Sequence, residues 1–132
     1  MDRLFLDANV LYSAAHSPGS VVTQLWLLAS EKSVVLVTST YAVAETVRNL
    51  KTAAQIVRLE KLLRQVEVRS QPPSTMMPAG LPELPEKDRP ILFAAIVVQA
   101  THLVTGDVTH FGSLYGRTVQ GVLIVTPSEY LK

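Results

Sequence analysis

The segment HLVTGD, residues 102–107, joins a short run of strand-forming residues to a turn that carries an acid. Gly106 breaks the strand pattern, and Asp107 then stands where a parallel strand would reach its carboxyl end. Glycine and aspartate are common in turns for backbone reasons, so one such acid is a weak sign of function. The meaning of Asp107 therefore depends on whether other acids reach the same place.

The first predicted strand ends in the same way. RLFL, residues 3–6, is a short apolar run that stops at Asp7, and the residues after it predict a helical turn or two. Further strands are predicted at VVLVT (34–38), VEVR (66–69) and VLIVT (122–126). The continuous β-branched run at 34–38 is typical of a strand that is covered on both faces in a parallel sheet.

Helical patterns separate these strands. In SPGSVVTQLWLLASEK (17–32), Ser17 is the predicted N-cap and Pro18 the first helical residue. The predicted apolar face of that helix consists of Val21, Val22, Leu25, Leu28 and Ala29. Further helices are predicted over residues 40–50, 53–65, 88–101 and 127–132.

Two segments lack a helical or strand pattern. Residues 70–87, SQPPSTMMPAGLPELPEK, collect most of the prolines and predict a loop within one domain rather than a linker between two. Residues 109–121 are predicted to be irregular. Because strands alternate with helices elsewhere, the chain predicts an α/β fold, a parallel sheet with helices on both faces, in a single domain over residues 1–132.

The composition narrows the class of protein. The chain has 132 residues, no cysteine and a net charge of +1, so disulfides, thiolate metal sites and cysteine nucleophiles are excluded. No apolar run reaches the length of a membrane span, and the amino terminus does not resemble a secretory signal. We therefore expect a cytoplasmic protein with no membrane partner. Its 48% hydrophobic content is compatible with an apolar surface left for another protein.

Four acids are candidates for chemistry because parallel strands end at the ligand-binding edge of a sheet. Asp7 and Asp107 end strands that are neighbours in many doubly wound sheets, Asp88 begins a helix, and Glu45 interrupts the apolar pattern of AVAETV. Each also has an ordinary structural explanation. Asp7 and Asp88 are suitable helix caps, Glu45 suits a solvated helix face, and Asp107 suits a turn.

Taken together, the four acids suggest a cation site. Neighbouring carboxylates repel one another and raise each other's pKa values, so such a cluster favours a bound cation. Oxygen ligands without cysteine favour Mg²⁺ or Mn²⁺ over zinc. The chemistry expected of such a site is phosphoryl transfer, with metal-activated water as the nucleophile.

Four segments resemble, in order, the sequence blocks of PIN domains, the metal-dependent ribonucleases that include the VapC-type toxins of toxin–antitoxin pairs. They are LFLDANVLYSA (4–14), AETV (44–47), PEKDRPILFAAI (85–96) and HLVTGDVTHFG (102–112). The resemblance covers essentially the whole chain. It implies a three-layer α/β/α sandwich with a mostly parallel sheet, and cleavage of single-stranded RNA with Mg²⁺ or Mn²⁺.

The resemblance also implies roles for individual residues. Asp7, Glu45, Asp88 and Asp107 correspond to the four catalytic acids. Among these, Asp7, Asp88 and Asp107 are expected to hold the metal. Two polar residues are expected to support the acids, Asn9 in the DAN motif and Thr105 before Gly106.

His110 stands where many relatives have a further acid, three residues after Asp107. A packed or capping histidine is the favoured interpretation there, and metal ligation is the alternative.

Basic residues suggest where RNA would bind. A strip with helical spacing consists of Arg48, Lys51, Arg58, Lys61 and Arg64. A solvated helix face is the ordinary explanation for any one of them, and phosphate contact is the explanation for the group. Arg48, Lys51 and Arg89 are the expected RNA contacts.

The resemblance further implies a cognate antitoxin and a homodimer. Two other functions remain open. One is a PIN fold that binds RNA or protein without cleaving it. The other is a receiver-like signalling domain, which is less compatible because the third strand ends in VEVRSQ without an acid and the last in VLIVTPS without a lysine.

Overall fold

A computed structural model describes the whole chain, residues 1–132. The strands are β1 (Asp2–Leu6), β2 (Val34–Ser39), β3 (Val66–Arg69), β4 (His102–Val104), β5 (Thr118–Val119) and β6 (Val122–Val125). The α-helices are α1 (Ala8–His16), α2 (Gln24–Ser30), α3 (Thr40–Asn49), α4 (Ala53–Leu63), α5 (Arg89–Val97), α6 (Val108–Phe111) and α7 (Pro127–Leu131). Short 3₁₀ turns lie at Val21–Thr23, Ser74–Met76, Glu86–Asp88 and Gly112–Leu114.

All six strands form one sheet in the order β3-β2-β1-β4-β6-β5. Every neighbouring pair is parallel except β5 and β6, which are antiparallel. The predicted α/β fold with a mostly parallel sheet is therefore confirmed. The chain builds outward from β1 to β3 and then crosses to the other side of β1 to form β4. This reversal makes the boundary between β1 and β4 the point where such sheets bind ligands.

Helices cover both faces of the sheet. On one face α1 packs against α3 and α4, while α5 packs against β2 and β4. Because parallel crossovers are almost always right-handed, this strand order puts the connection from β3 to β4 on the opposite face from the connections between β1, β2 and β3. Buried residues of α5, including Ile91, Leu92 and Phe93, join those of the strands in one core. The result is the three-layer α/β/α sandwich that the sequence predicts.

The second helix begins later than the sequence predicts. Ser17 and Pro18 lie in a turn, and the cap is Ser20, whose hydroxyl accepts a hydrogen bond from the Val22 amide at the start of a 3₁₀ turn. The expected apolar face is also partly wrong, because Val21 is exposed. Trp26 replaces it as an anchor: it is buried, and its indole N–H donates to the Leu62 carbonyl at 3.0 Å.

Residues 109–121, predicted to be irregular, contain ordered structure. They include the end of α6, a 3₁₀ turn and the short strand β5, which pairs with β6. The two strands are joined by Gln120 and Gly121, whose φ angles are 50° and 85°. Two successive positive φ angles are typical of a type I′ hairpin turn. The sequence hid this hairpin because glutamine is an unusual first residue for such a turn.

The proline-rich segment 70–87 is largely a loop, as predicted. Gln71 holds one end of it, since its amide nitrogen donates to the Pro90 carbonyl at 3.1 Å and its backbone N–H donates to the Thr40 hydroxyl. The other end leads into the 3₁₀ turn that carries Asp88. None of the helices is both long and apolar enough to span a membrane.

Candidate functional site

A cavity of about 420 Å³ lies at the carboxyl ends of β1 and β4. Its walls are mostly polar. The lining residues are Asp7, Ala8, Asn9, Tyr12, Glu45, Asn49, Lys51, Lys87, Asp88 and Asp107. All four acids that the sequence singles out therefore face the same space, although they are up to a hundred residues apart in the chain.

Asp7 is positioned by the pairing of β1 with β4. Leu6 lies opposite Val104 in this register, and the Asp7 amide donates to the Val104 carbonyl at 3.1 Å. Asp7 is also the N-cap of α1, because its Oδ1 accepts a hydrogen bond from the Ala8 amide at 2.6 Å. The carboxylate thus has the capping position considered from sequence and faces the cavity as well.

Thr105 connects Asp7 with the end of β4. Its buried hydroxyl donates to Asp7 Oδ2 at 2.9 Å and accepts from the Asn9 side-chain amide at 3.1 Å and the Asp107 backbone N–H at 3.2 Å. The side-chain Oδ1 of Asn9 in turn accepts a hydrogen bond from the Gly106 N–H at 2.8 Å. These bonds fix the turn that presents Asp107, which explains the position of Gly106 and Asp107 directly after the strand.

Burial makes ionisation of Asp7 unfavourable. Only 4% of the residue is exposed, and desolvation raises the pKa of Asp7 from its usual 3.8 to about 6. The hydrogen bonds from Thr105 and Ala8 oppose this increase, while the negative charges of Asp88 and Glu45 add to it. A cation bound in the cavity would reverse the effect because it favours the charged carboxylate.

Asp88 and Asp107 meet at a third residue, His110. The His110 Nδ1 lies 2.7 Å from Asp88 Oδ2 and 2.8 Å from Asp107 Oδ2. His110 reaches this position because Asp107 is the N-cap of α6, and the Asp107 Oδ1 accepts a hydrogen bond from the His110 backbone N–H. The spacing of three residues between Asp107 and His110 could have indicated that these two side chains lie close together on one helical turn. It did not indicate that Asp88 would contact His110 as well.

The donor atoms of this trio are suitable for a metal ion. Ligand atoms of Asp88, Asp107 and His110 lie within 4.8 Å of one another. Asp88 Oδ2 and His110 Nδ1 are buried, and neither makes a hydrogen bond of acceptable geometry despite their short separation. Burial also raises the pKa of Asp88, an effect that nearby His110 opposes and the Asp107 charge increases. Buried polar atoms without partners, beside clustered carboxylates, fit a divalent cation.

Glu45 faces the cavity from the other side. It lies on α3, next to the buried Thr46. The Thr46 hydroxyl donates to the Ala42 carbonyl at 2.9 Å, and its oxygen lies 3.3 Å from the Ala8 carbonyl oxygen. This contact holds α3 against the start of α1. The Glu45 side chain is 24% exposed, and its Oε1 lies 3.9 Å from a guanidinium nitrogen of Arg48. Glu45 is therefore accessible to a ligand in the cavity.

Lys87 and two tyrosines near the acids were not identified from sequence as parts of the site. Lys87 lines the cavity, and its carbonyl accepts a hydrogen bond from the Tyr41 hydroxyl at 2.7 Å. The Tyr115 hydroxyl donates to the Thr105 carbonyl at 2.9 Å. Burial raises the pKa values of both Tyr41 and Tyr115 to about 12, so at neutral pH these hydroxyls stay protonated and act as donors. Sequence gave no signal for these contacts, because they join residues on different elements.

The basic strip is not carried by a single helix. Leu50, Lys51 and Thr52 separate α3 from α4, so Arg48 and Arg64 lie on different helices or helix ends. Among the expected RNA contacts, Lys51 lines the cavity, whereas Arg48 and Arg89 are exposed and do not line it.

Two of the five strip residues have other surroundings. Arg58 donates a hydrogen bond to the Ala15 carbonyl. Arg64 lines a different cavity together with Val34 and Val66, at the amino ends of β2 and β3. That cavity, of about 630 Å³, is larger than the one at the acids, but its lining is mainly apolar and holds no cluster of ligating side chains. The potential for chemistry therefore lies at the carboxyl ends of the strands.

Comparison with known proteins identifies the family. The family model described as PIN domain matches residues 3–109, and the chain belongs to this family. The fold is similar to that of a chain in the crystal structure of VapBC2 from Rickettsia felis bound to a DNA fragment from their promoter. The TM-score is 0.66 at 19% sequence identity, covering 94% of this chain and 98% of the other. No curated protein gives a match. Family membership removes the receiver-like alternative.

We predict that Asp7 makes the metal-free protein less stable as the pH rises from about 4 to 6. The folded state binds a proton to Asp7 more tightly than the unfolded state does, so stability falls across the interval between the two pKa values. A difference from 3.8 to about 6 corresponds to about 3 kcal/mol. The free energy of unfolding of Asp7→Asn relative to wild type should increase by about this amount over that interval.

Urea unfolding in EDTA at a series of pH values measures this difference. Glu60→Gln is the matched control, because Glu60 is exposed on α4 and its variant should track wild type at every pH. If the difference in free energy of unfolding between Asp7→Asn and wild type stays constant with pH, burial does not raise the pKa of Asp7.

Proposed function

We propose that the protein is an endoribonuclease that depends on Mg²⁺ or Mn²⁺ and cleaves single-stranded RNA. The observation that carries the proposal is the convergence of Asp7, Glu45, Asp88 and Asp107 on one cavity, with the buried Asp88 Oδ2 left without a hydrogen bond. Charged groups are buried in proteins when they are paired or when they coordinate metals. Membership of the PIN family supports the same activity.

Asp88 and Asp107 are the residues we expect to hold the metal most directly, and Asp7 completes the set from the end of β1. When bound, the metal would lower the pKa of water and offset charge that develops on the phosphate. Asp7 already has both carboxylate oxygens in hydrogen bonds with the protein, which limit its freedom to rotate. This rigidity suits a residue that must keep a fixed position while substrate and product exchange.

Glu45 is suited to orient a water molecule or receive its proton. It lies in the cavity, where its carboxylate interacts with the Tyr41 hydroxyl and forms a long ion pair with Arg48. Tyr41 and Tyr115 do not compete for this role, because their raised pKa values keep them protonated. Attack of water on the phosphorus, with loss of the 3′ oxygen, would leave a 5′-phosphate and a 3′-hydroxyl.

Asn9 and Thr105 are positioning residues in this proposal. The Thr105 hydroxyl contacts both the Asp7 carboxylate and the Asp107 backbone, so it couples the two strand ends. Asn9 contacts Asp7, Thr105 and Gly106, which completes the same network. We expect these bonds to hold the acids at the separation that the metal requires.

Lysines at the rim are the strongest candidates for binding RNA phosphates. Lys51 and Lys87 line the cavity, and both side chains are exposed. Arg48 on α3 and Arg89 on α5 are exposed, and each is close in sequence to one of these lysines. They would extend the contact with RNA phosphates. Tyr12 also lines the cavity and offers an aromatic face to an unpaired base.

We further propose that the protein is the toxin of a toxin–antitoxin pair. The similarity to VapBC2 supports this role and an antitoxin partner. We expect that partner to cover the cavity. Exposed apolar residues on the helices, Val47 on α3 and Val57 on α4, offer part of a protein interface. A homodimer is expected from the family. A single-stranded RNA substrate is available in the cytoplasm, where we expect the protein to act.

The four acids should each be required for cleavage. We expect purified wild-type protein to cut a labelled single-stranded RNA with Mg²⁺ or Mn²⁺ but not with EDTA, and Asp7→Asn, Asp88→Asn and Asp107→Asn to lose at least about a hundredfold in rate. Glu45→Gln should lose about 10²–10⁴-fold, the usual contribution of a general base. Glu60→Gln is the control of matched chemistry.

Full cleavage by Asp7→Asn would overturn the catalytic assignment. If wild type binds the RNA and cuts it under none of these conditions, the protein is instead a PIN-fold binding module without cleavage.

The rim lysines should contribute phosphate contacts. Lys51→Ala and Lys87→Ala are each expected to weaken binding of single-stranded RNA to the uncleaving Asp107→Asn protein. Each should also reduce the slope of log affinity against log salt by about 0.7, the value for one phosphate contact on a single strand. Fluorescence anisotropy at several salt concentrations measures both effects. Lys132→Ala, at the chain end, should match the parent, and an unchanged slope for both rim variants would argue against this binding surface.

The toxin role is tested in cells. Induced expression of the wild-type protein should arrest growth. Expression of Asp107→Asn should be tolerated, because the arrest depends on RNA cleavage. Co-expression of a cognate antitoxin should restore growth by covering the cavity. Normal growth at a wild-type level that yields active nuclease on purification would remove the toxin role and leave the nuclease proposal intact.

A further inference from the structure

His110 belongs to the candidate metal centre by geometry. Its Nδ1 lies 2.7 Å from Asp88 Oδ2 and 2.8 Å from Asp107 Oδ2, yet none of these contacts supplies Nδ1 or Asp88 Oδ2 with a hydrogen bond. The Asp88 side chain is only 10% exposed, so its unpartnered oxygen faces the cluster rather than solvent. A histidine that served only to pair with the acids would align its N–H with one of them.

The separations match those of ligands around one ion. Two atoms at adjacent corners of an octahedron, each about 2.1 Å from the ion, lie about 3 Å apart. Asp88 Oδ2, Asp107 Oδ2 and His110 Nδ1 all lie within 4.8 Å of one another, with the nitrogen close to this adjacent-corner distance from both oxygens. A single ion could therefore contact all three without a large movement of the chain.

We propose that His110 supplies a nitrogen ligand to the metal and makes the site select Mn²⁺ over Mg²⁺. The inference rests on the proposed metal-dependent function and concerns which ion serves it. Mg²⁺ is a hard ion that strongly prefers oxygen, whereas imidazole nitrogen binds first-row transition ions more readily. A histidine rather than an acid three residues after Asp107 gives the site a neutral nitrogen donor in place of a negative oxygen donor, and both differences disfavour Mg²⁺.

The competing explanation is that His110 is an internal cation. A protonated imidazole between Asp88 and Asp107 would offset their charges and would have to leave before a metal could bind. The two explanations predict opposite effects of removing the ring. Loss of a ligand weakens metal binding, whereas loss of an internal cation strengthens it for Mg²⁺ and Mn²⁺ alike.

The test uses metal binding and the electron spin echo spectrum of bound Mn²⁺, both measured without RNA. The wild-type spectrum should show coupling of Mn²⁺ to a directly bound nitrogen, and His110→Ala should abolish that coupling. We expect His110→Ala to lose about tenfold or more in Mn²⁺ affinity and less in Mg²⁺ affinity. His110→Asp should recover binding with the preference moved toward Mg²⁺. The control is His102→Gln, since His102 begins β4 at the opposite end of that strand.

Absence of nitrogen coupling in wild type would overturn the inference, as would tighter binding of both ions by His110→Ala. The wild-type spectrum decides the matter even if a variant fails to fold. A protein that binds Mn²⁺ through nitrogen but cuts no RNA would keep this inference and overturn the proposed function. Cleavage supported by Mn²⁺ without nitrogen coupling would do the reverse.

Discussion

The parallel pairing of β1 with β4 is the constraint on which the rest of the site depends. Because Leu6 lies opposite Val104, both strands end at the same level, and Asp7 and Thr105 come into hydrogen-bond contact. Parallel neighbours cannot be joined by a tight turn, so the chain must travel across the sheet and back between them. That long connection contains α3 and the start of α5, and it delivers Glu45 and Asp88 to the same end of the sheet.

The site is built at a cost to the stability of the fold. Asp7 and Asp88 are buried beside other acids, and burial raises the pKa of each, which means that their charged forms are disfavoured in the folded protein. The hydroxyl of Thr105 and the Ala8 amide reduce this cost at Asp7 but do not remove it. A cation would complete the compensation. The arrangement is thus easier to understand as a binding site than as a means of holding the fold together.

The rigidity of the site comes from neutral polar groups rather than from ion pairs. Thr105, Asn9 and Gly106 form a continuous hydrogen-bonded network around Asp7, and Tyr115 holds the Thr105 carbonyl from the far side. The cations near the acids are at the rim and exposed, apart from the contact of Arg48 with Glu45. Because no lysine or arginine fills the centre of the cavity, the carboxylates remain available to a ligand.

Local sequence patterns were enough to predict the class of fold and to select the four acids that line the cavity. Local periodicity revealed most strands and helices, and the position of Asp7 and Asp107 after strands indicated one edge of the sheet, because both signals depend on residues close together in the chain. Four features could not be predicted from the sequence and depend on the folded chain. They are the start of α2, the hairpin at Gln120 and Gly121, the rim position of Lys87 and the contact of His110 with Asp88. The last two join groups brought near by strand order and helix packing, which no local pattern encodes. The others depend on which of several acceptable local conformations the surrounding core allows.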